Sequence, residues 1–200
     1  MRPVGATTFS EAIERVSRVR AATGEVLRER GATWALVADE GGYGPRLDGN
    51  RDALEVLMRA FERTGLTPGD DIAIAIDVAA TQFHTSGNDT YRWETEGRTM
   101  TARELTAELA SWVRDFPIVS IEDALAEDDW TGWREATASL GDIQLLGDDL
   151  FVTSPDRVQR GIDESVANAV LVKPNQIGTL SQAREVVELA HPAGYATVLS

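Results

Sequence analysis

The residues best able to do chemistry in this chain stand at the ends of short apolar runs. Glu40 comes just after the run 36–38, Asp77 after 72–76, Glu122 after 118–121, Asp148 after 145–146 and Lys173 after 170–172. Asp77, Glu122 and Asp148, brought together, would offer the oxygen-rich surroundings that a hard cation such as magnesium prefers. Of the 19 basic residues, Lys173 is the one lysine. An arginine keeps its proton in a protein, whereas a lysine can give it up and then serve as a base. Taking a proton from a carbon next to a carboxylate builds an enolate-like dianion, which needs nearby cations to form. Lys173 would be that base, its pKa lowered by adjacent metal charge, and Glu40 the acid that helps a hydroxyl depart. The chain has no cysteine, and its histidines are His84 and His191, so zinc and thiolate chemistry are poorly supplied. His84 is expected to be a surface or packing residue.

Positioning five such groups requires a scaffold that delivers strand ends to one place. Amphipathic helical stretches alternate with apolar runs, the pattern of repeated βα units. Helices are expected over 9–30, with Thr8 and Glu11 as a capping box, over 52–63 ahead of Gly65, from Thr101 and Glu104, over 129–139, from Ser154-Pro155 to 162, and over 181–190. His191-Pro192 should end the last of these. Strands are expected over 34–38, 72–76, 118–121, 143–146, 169–172 and 195–199, with a polar excursion over 85–98. Successive strand-end charges are 37, 45, 26 and 25 residues apart, about one βα unit each, with the excursion lengthening the second. In an α/β barrel the C-terminal strand ends share one rim, where chemistry is done. No glycine-rich phosphate fingerprint follows a strand, which weighs against a dinucleotide-binding sheet. The expected fold is therefore α/β, a partial (β/α)8 TIM-type barrel with about six strands, in a single domain over 1–200. Alternation in 72–77 puts Ala73, Ala75 and Asp77 on one face and the isoleucines on the other.

The net charge of −14 argues against nucleic acid or an anionic membrane surface as partner. A small phosphorylated substrate stays compatible if a metal offsets the repulsion. No apolar leader and no run long enough to span a bilayer is present, so a cytoplasmic protein is expected.

The segments DEGGYGP (39–45), IAIDVAATQF (74–83), PIVSIEDALAEDDWTGW (117–133), GDDLFVTSPDR (147–157) and LVKPNQIGTLSQA (171–183) closely resemble motifs of the enolase family, and the likeness runs from Pro3 to Ser200. A lysine base beside one or two magnesium ions is the arrangement already known for that superfamily. The resemblance implies a lyase of glycolysis that interconverts 2-phosphoglycerate and phosphoenolpyruvate. It implies Glu40 as proton donor, Lys173 as proton acceptor, and Asp77, Glu122 and Asp148 as magnesium ligands. Glu40, Glu122, Asp148 and Lys173 would also line the substrate. The choice of Asp148 over Asp149 comes from the family pattern alone. The resemblance further implies that the first two barrel strands and the C-terminal helices lie outside this chain, along with most groups that hold the substrate phosphate. The alternative expectation is an inactive remnant or binding module that keeps the magnesium site. A homodimer is the assembly to test.

Overall fold

A computed structural model describes residues 1–32, 37, 38 and 41–200. The expected strand at 34–38 lies mostly outside them, and so does Glu40. The chain divides into two compact units, residues 1–74 with 115–117 and residues 75–114 with 118–200.

The first unit is built on two helices. Helix α1 (Phe9–Glu29) starts at Thr8, whose hydroxyl accepts from the Glu11 N–H. The return half of the expected box is displaced by one residue, because Glu11 accepts from the backbone and hydroxyl of Thr7 instead. Helix α2 (Asn50–Thr64) stops at Gly65, whose φ of 71° is a left-handed turn that glycine adopts without strain. Val26, Leu27 and Val56 form a small core between them, with Tyr43 and Leu47 packed against it.

The second unit contains a five-stranded sheet in the order β1-β5-β6-β7-β8, and a smaller antiparallel sheet β2-β3-β4. The strands of the larger sheet are β1 (Ile74–Asp77), β5 (Ile118–Glu122), β6 (Gln144–Gly147), β7 (Ala169–Val172) and β8 (Ala196–Leu199). The pairings β5–β6, β6–β7 and β7–β8 are parallel, and helices α4 (Trp130–Leu140), α5 (Pro155–Glu164) and α7 (Leu180–Ala190) join successive strands. Among the described residues no pairing joins β1 to β8, so the sheet is an open arc, as expected of a partial barrel. β7 is buried along its whole length, while on β1 Ala75 and Asp77 are exposed and Ile74 is buried. Asp77 thus shares its open face with a small residue, as alternation predicts.

The polar excursion is more ordered than its composition suggests. It forms β2 (His84–Thr85), β3 (Thr90–Trp93) and β4 (Arg98–Met100), and buries Tyr91 and Trp93. Trp93 stacks on Trp112 of helix α3 (Ala102–Asp115), with ring centroids 5.5 Å apart. His84 lies in β2 with its ring 4.8 Å from that of Tyr91 and Nε2 3.1 Å from Asp89 Oδ1, a packing role. Helix α7 ends at Ala190 and His191-Pro192 open a single 3-10 turn, the stop that the proline dictates. A short helix α6 (Pro174–Ile177), absent from the sequence reading, follows Lys173 directly.

Candidate functional site

The site grows out of the strand ends of the second unit. Asp77 closes β1, and its Oδ1 accepts the Ala79 N–H at 2.9 Å as the chain turns through a left-handed Ala79. Glu122 closes β5 and is half-buried. Parallel register sets Glu122 beside Leu146, so that Asp148 arrives just beyond it on the neighbouring strand. Lys173 follows β7. Its backbone N–H donates to Thr153 Oγ1 at 2.9 Å, and its Nζ donates to Asp148 Oδ2 at 2.5 Å.

Two groups of carboxylates could each hold a cation. Asp77, Glu122 and Asp123 form one, and Asp123, Asp148 and Asp149 the other, with the ligand atoms in each within 4.8 Å of one another. Asp77 and Glu122 therefore meet as expected, Asp148 sits in the adjoining cluster, and Asp123 belongs to both. The donor set fits a hard divalent cation on two further observations. Asp148 Oδ1 is buried and has no hydrogen-bond partner among the described residues, although buried acceptors are normally satisfied. Glu122 is pushed up to about 7 by burial first and then by the charges of Asp77, Asp123 and Asp148. A bound cation would offset the mutual repulsion of these carboxylates.

With only the protein's own charges acting, Lys173 behaves differently from the sequence expectation. The hydrogen bond to Asp148 comes first, and with the charges of Asp148, Glu122 and Asp149 it raises the lysine above its ordinary range. Lowering the lysine would take added positive charge nearby, such as a cation's, because the protein's own groups favour the ammonium.

Asp123 and Thr153 are the two residues that the sequence reading passed over. Asp123 is 3% exposed and accepts from the backbone N–H groups of Asp148 at 3.0 Å and Asp149 at 2.8 Å. Thr153 is fully buried, and its hydroxyl faces both Leu171 O and Gln176 Oε1 in addition to receiving the Lys173 N–H. Strand alternation aims Asp123 away from the face of Glu122, and a threonine before Ser-Pro reads as part of a helix start. Neither pattern signals these contacts.

The loops around the site are braced by side chains that bind backbone. Tyr91 donates its hydroxyl to Asp129 Oδ2 at 2.8 Å and accepts the Ala126 N–H at 3.1 Å. Arg157 spans from Leu150 O to Glu127 O, both at 2.5 Å, with its guanidinium over Trp130. The segment 123–129 after β5 is thereby tied to the segment after β6.

Residues 1–200 match the family described as "Enolase, C-terminal TIM barrel domain". A protein named Enolase from Acidothermus cellulolyticus is 50% identical over 199 residues, which is 99% of this chain and 45% of that protein. Proteins named Enolase 2 from two pathovars of Pseudomonas syringae, syringae and tomato, are 49% identical, again over 99% of this chain and 46% of their own length. The chain thus spans a little under half of the curated relatives it matches.

Proposed function

The chain belongs to the enolase family, matched along its whole length by the C-terminal TIM barrel domain, and on that premise we propose that it interconverts 2-phosphoglycerate and phosphoenolpyruvate. The observation that carries this reading is the contact of Lys173 Nζ with Asp148 Oδ2 at the edge of the carboxylate clusters. Asp77, Glu122 and Asp148 would hold magnesium, which supplies positive charge against the negative charge that builds on the substrate. Asp148 can serve two partners because its oxygens are divided, Oδ2 on the lysine and Oδ1 without a hydrogen-bond partner among the described residues. Lys173, as the neutral amine, takes the proton from the substrate carbon next to the carboxylate. Glu40, whose role is carried over from its motif, gives a proton to the departing hydroxyl, so that water leaves and the carbon–carbon double bond forms. Thr153 and the first turn of α6 fix the backbone from which the lysine reaches. The same reading makes the protein a cytoplasmic enzyme of glycolysis, with a homodimer as the assembly to test by light scattering. No helix among the described residues is long and apolar enough to cross a membrane.

A second reading, a chain that binds the cation without turnover, draws on the same contact. An amine held as its ammonium by Asp148 cannot accept a proton. Magnesium-dependent formation of phosphoenolpyruvate by the purified chain decides between them. The expected result is turnover that falls roughly 10²–10⁴-fold in Lys173→Ala, the usual worth of a general base, with magnesium binding kept. Cation binding without any turnover in the unsubstituted chain would leave the second reading.

A further inference from the structure

Asp123 lies in both carboxylate clusters, so by composition it is the natural bridging ligand for a cation. Its oxygens are committed elsewhere. Oδ1 accepts from Asp148 N–H at 3.0 Å and from Leu150 N–H at 3.5 Å, and Oδ2 accepts from Asp149 N–H at 2.8 Å. Three successive backbone donors converging on one carboxylate make a small anion-binding nest, with the anion supplied by the chain itself. The backbone of Asp123 is anchored as firmly. Its N–H donates to Leu146 O at 3.0 Å, its carbonyl accepts from Ala80 N–H at 3.1 Å, and its φ is 41°. A left-handed aspartate costs conformational energy and persists where its surroundings enforce it. That conformation turns the side chain from the face alternation would give it toward the segment after β6.

The contrast with Asp148 is instructive. Asp148 follows the end of β6 and has one buried oxygen with no partner among the described residues, whereas both oxygens of Asp123 are used by amides. The turn it opens is tight, with Val152 N–H donating to Asp148 O at 2.7 Å and left-handed φ values at Val152 and Thr153. We propose that Asp123 is a positioning residue and no cation ligand: its carboxylate grips the backbone of 148–150 and so aims Asp148 at Lys173 and at the cation. The cation half of this assignment rests on the function proposed above, and the grip on the backbone does not.

Because Lys173 is the one lysine, labelling with ¹⁵Nζ-lysine gives a single side-chain signal from the middle of the site. In Asp123→Asn the amide nitrogen faces a backbone donor and cannot accept from it. Metal-free hydrogen exchange at Asp148, Asp149 and Leu150 should then speed by about tenfold, the effect of losing one charge-assisted bond, while β7 keeps its protection. The Lys173 signal should move toward its position in Asp148→Asn. A folded Asp123→Asn protein with unchanged exchange at 148–150 and an unmoved lysine signal would overturn the assignment. Two measurements need no folded variant. In the unsubstituted chain the three amides are expected to be protected, and unprotected amides would count against the grip. In a crystal of the same chain grown with Mn²⁺, Asp148 should coordinate the ion while Asp123 stays on its amides. An Asp123 oxygen at coordinating distance would overturn the proposal. Failure of any Mn²⁺ to bind, with the exchange results intact, would refute the cation reading and leave the backbone grip standing.

Discussion

At the scale of single residues, Glu122 sets a pH dependence that can be measured. Its folded pKa of about 7 lies above the ordinary value of 4.5, so over that interval the folded chain holds a proton that the unfolded chain has released. The stability linked to this group is fully present below about 4.5 and is lost as pH rises through about 7. A cation held by Glu122 would have to displace the same proton. Magnesium should therefore bind about tenfold more tightly at pH 8 than at pH 6, levelling off above 7, as titration calorimetry would report. An affinity independent of pH over that range would show that Glu122 is already ionised in the bare site. The strand-end residues were legible in the sequence because a charge that stops an apolar run is conspicuous, and Lys173 more so for being alone among arginines. Asp123 was not legible. It adjoins Glu122, carries the same charge, and owes its direction to a backbone angle of 41° that no residue pattern encodes.

At the scale of elements, the joint between β6 and α5 depends on two glycines that flank one ring. A Cβ at Gly147 would come 2.6 Å from Phe151 Cδ2, and one at Gly161 would come 2.6 Å from Cε1 of the same ring. Phe151 is fully buried, so the ring has no open space to swing into. Gly161→Ala should cost about 1–3 kcal/mol in urea denaturation, the usual penalty for an overfilled core. Tyr91→Phe should cost a similar amount, about 1–3 kcal/mol, because the buried Ala126 N–H would lose its acceptor and Asp129 a donor. Helix and strand positions were largely readable from periodicity, β7 to the residue and most others within two at each end. The excursion was not, although its signal was present. Tyr91 and Trp93 alternate with Arg92 and Glu94, and the turn residues over 86–89 precede them, but the stretch is short and mostly polar. Burial of those two aromatic rings came from packing that the local sequence does not announce.

At the scale of the whole molecule, the net charge of −14 acts on everything else. Self-repulsion of that size disfavours a compact state and is relieved by screening. Raising NaCl should stabilise the metal-free protein, and the numerous exposed ion pairs, each worth at most about 1 kcal/mol, are too weak to reverse the trend. Magnesium should do more than screen. At matched ionic strength it should add a stabilisation that grows with concentration, reaching about 2.7 kcal/mol at a hundredfold excess over its dissociation constant. Thermal melts of Asp77→Asn should keep the salt effect and lose most of the magnesium effect. Equal responses in that variant and the parent would place the ion elsewhere. The open arc of strands followed from counting βα units, whereas the division into two compact units did not, since no change in composition marks it.

The Trp93–Trp112 stack gives the molecule an optical consequence. Two indoles that close share their excited states, and their coupled transitions should appear as a paired positive and negative band in far-ultraviolet circular dichroism. Because one ring comes from the β2–β4 excursion and the other from α3, the couplet should vanish when the two part, even with every helix intact. Both rings belong to the unit that carries the sheet, so the couplet reports on the scaffold of the site.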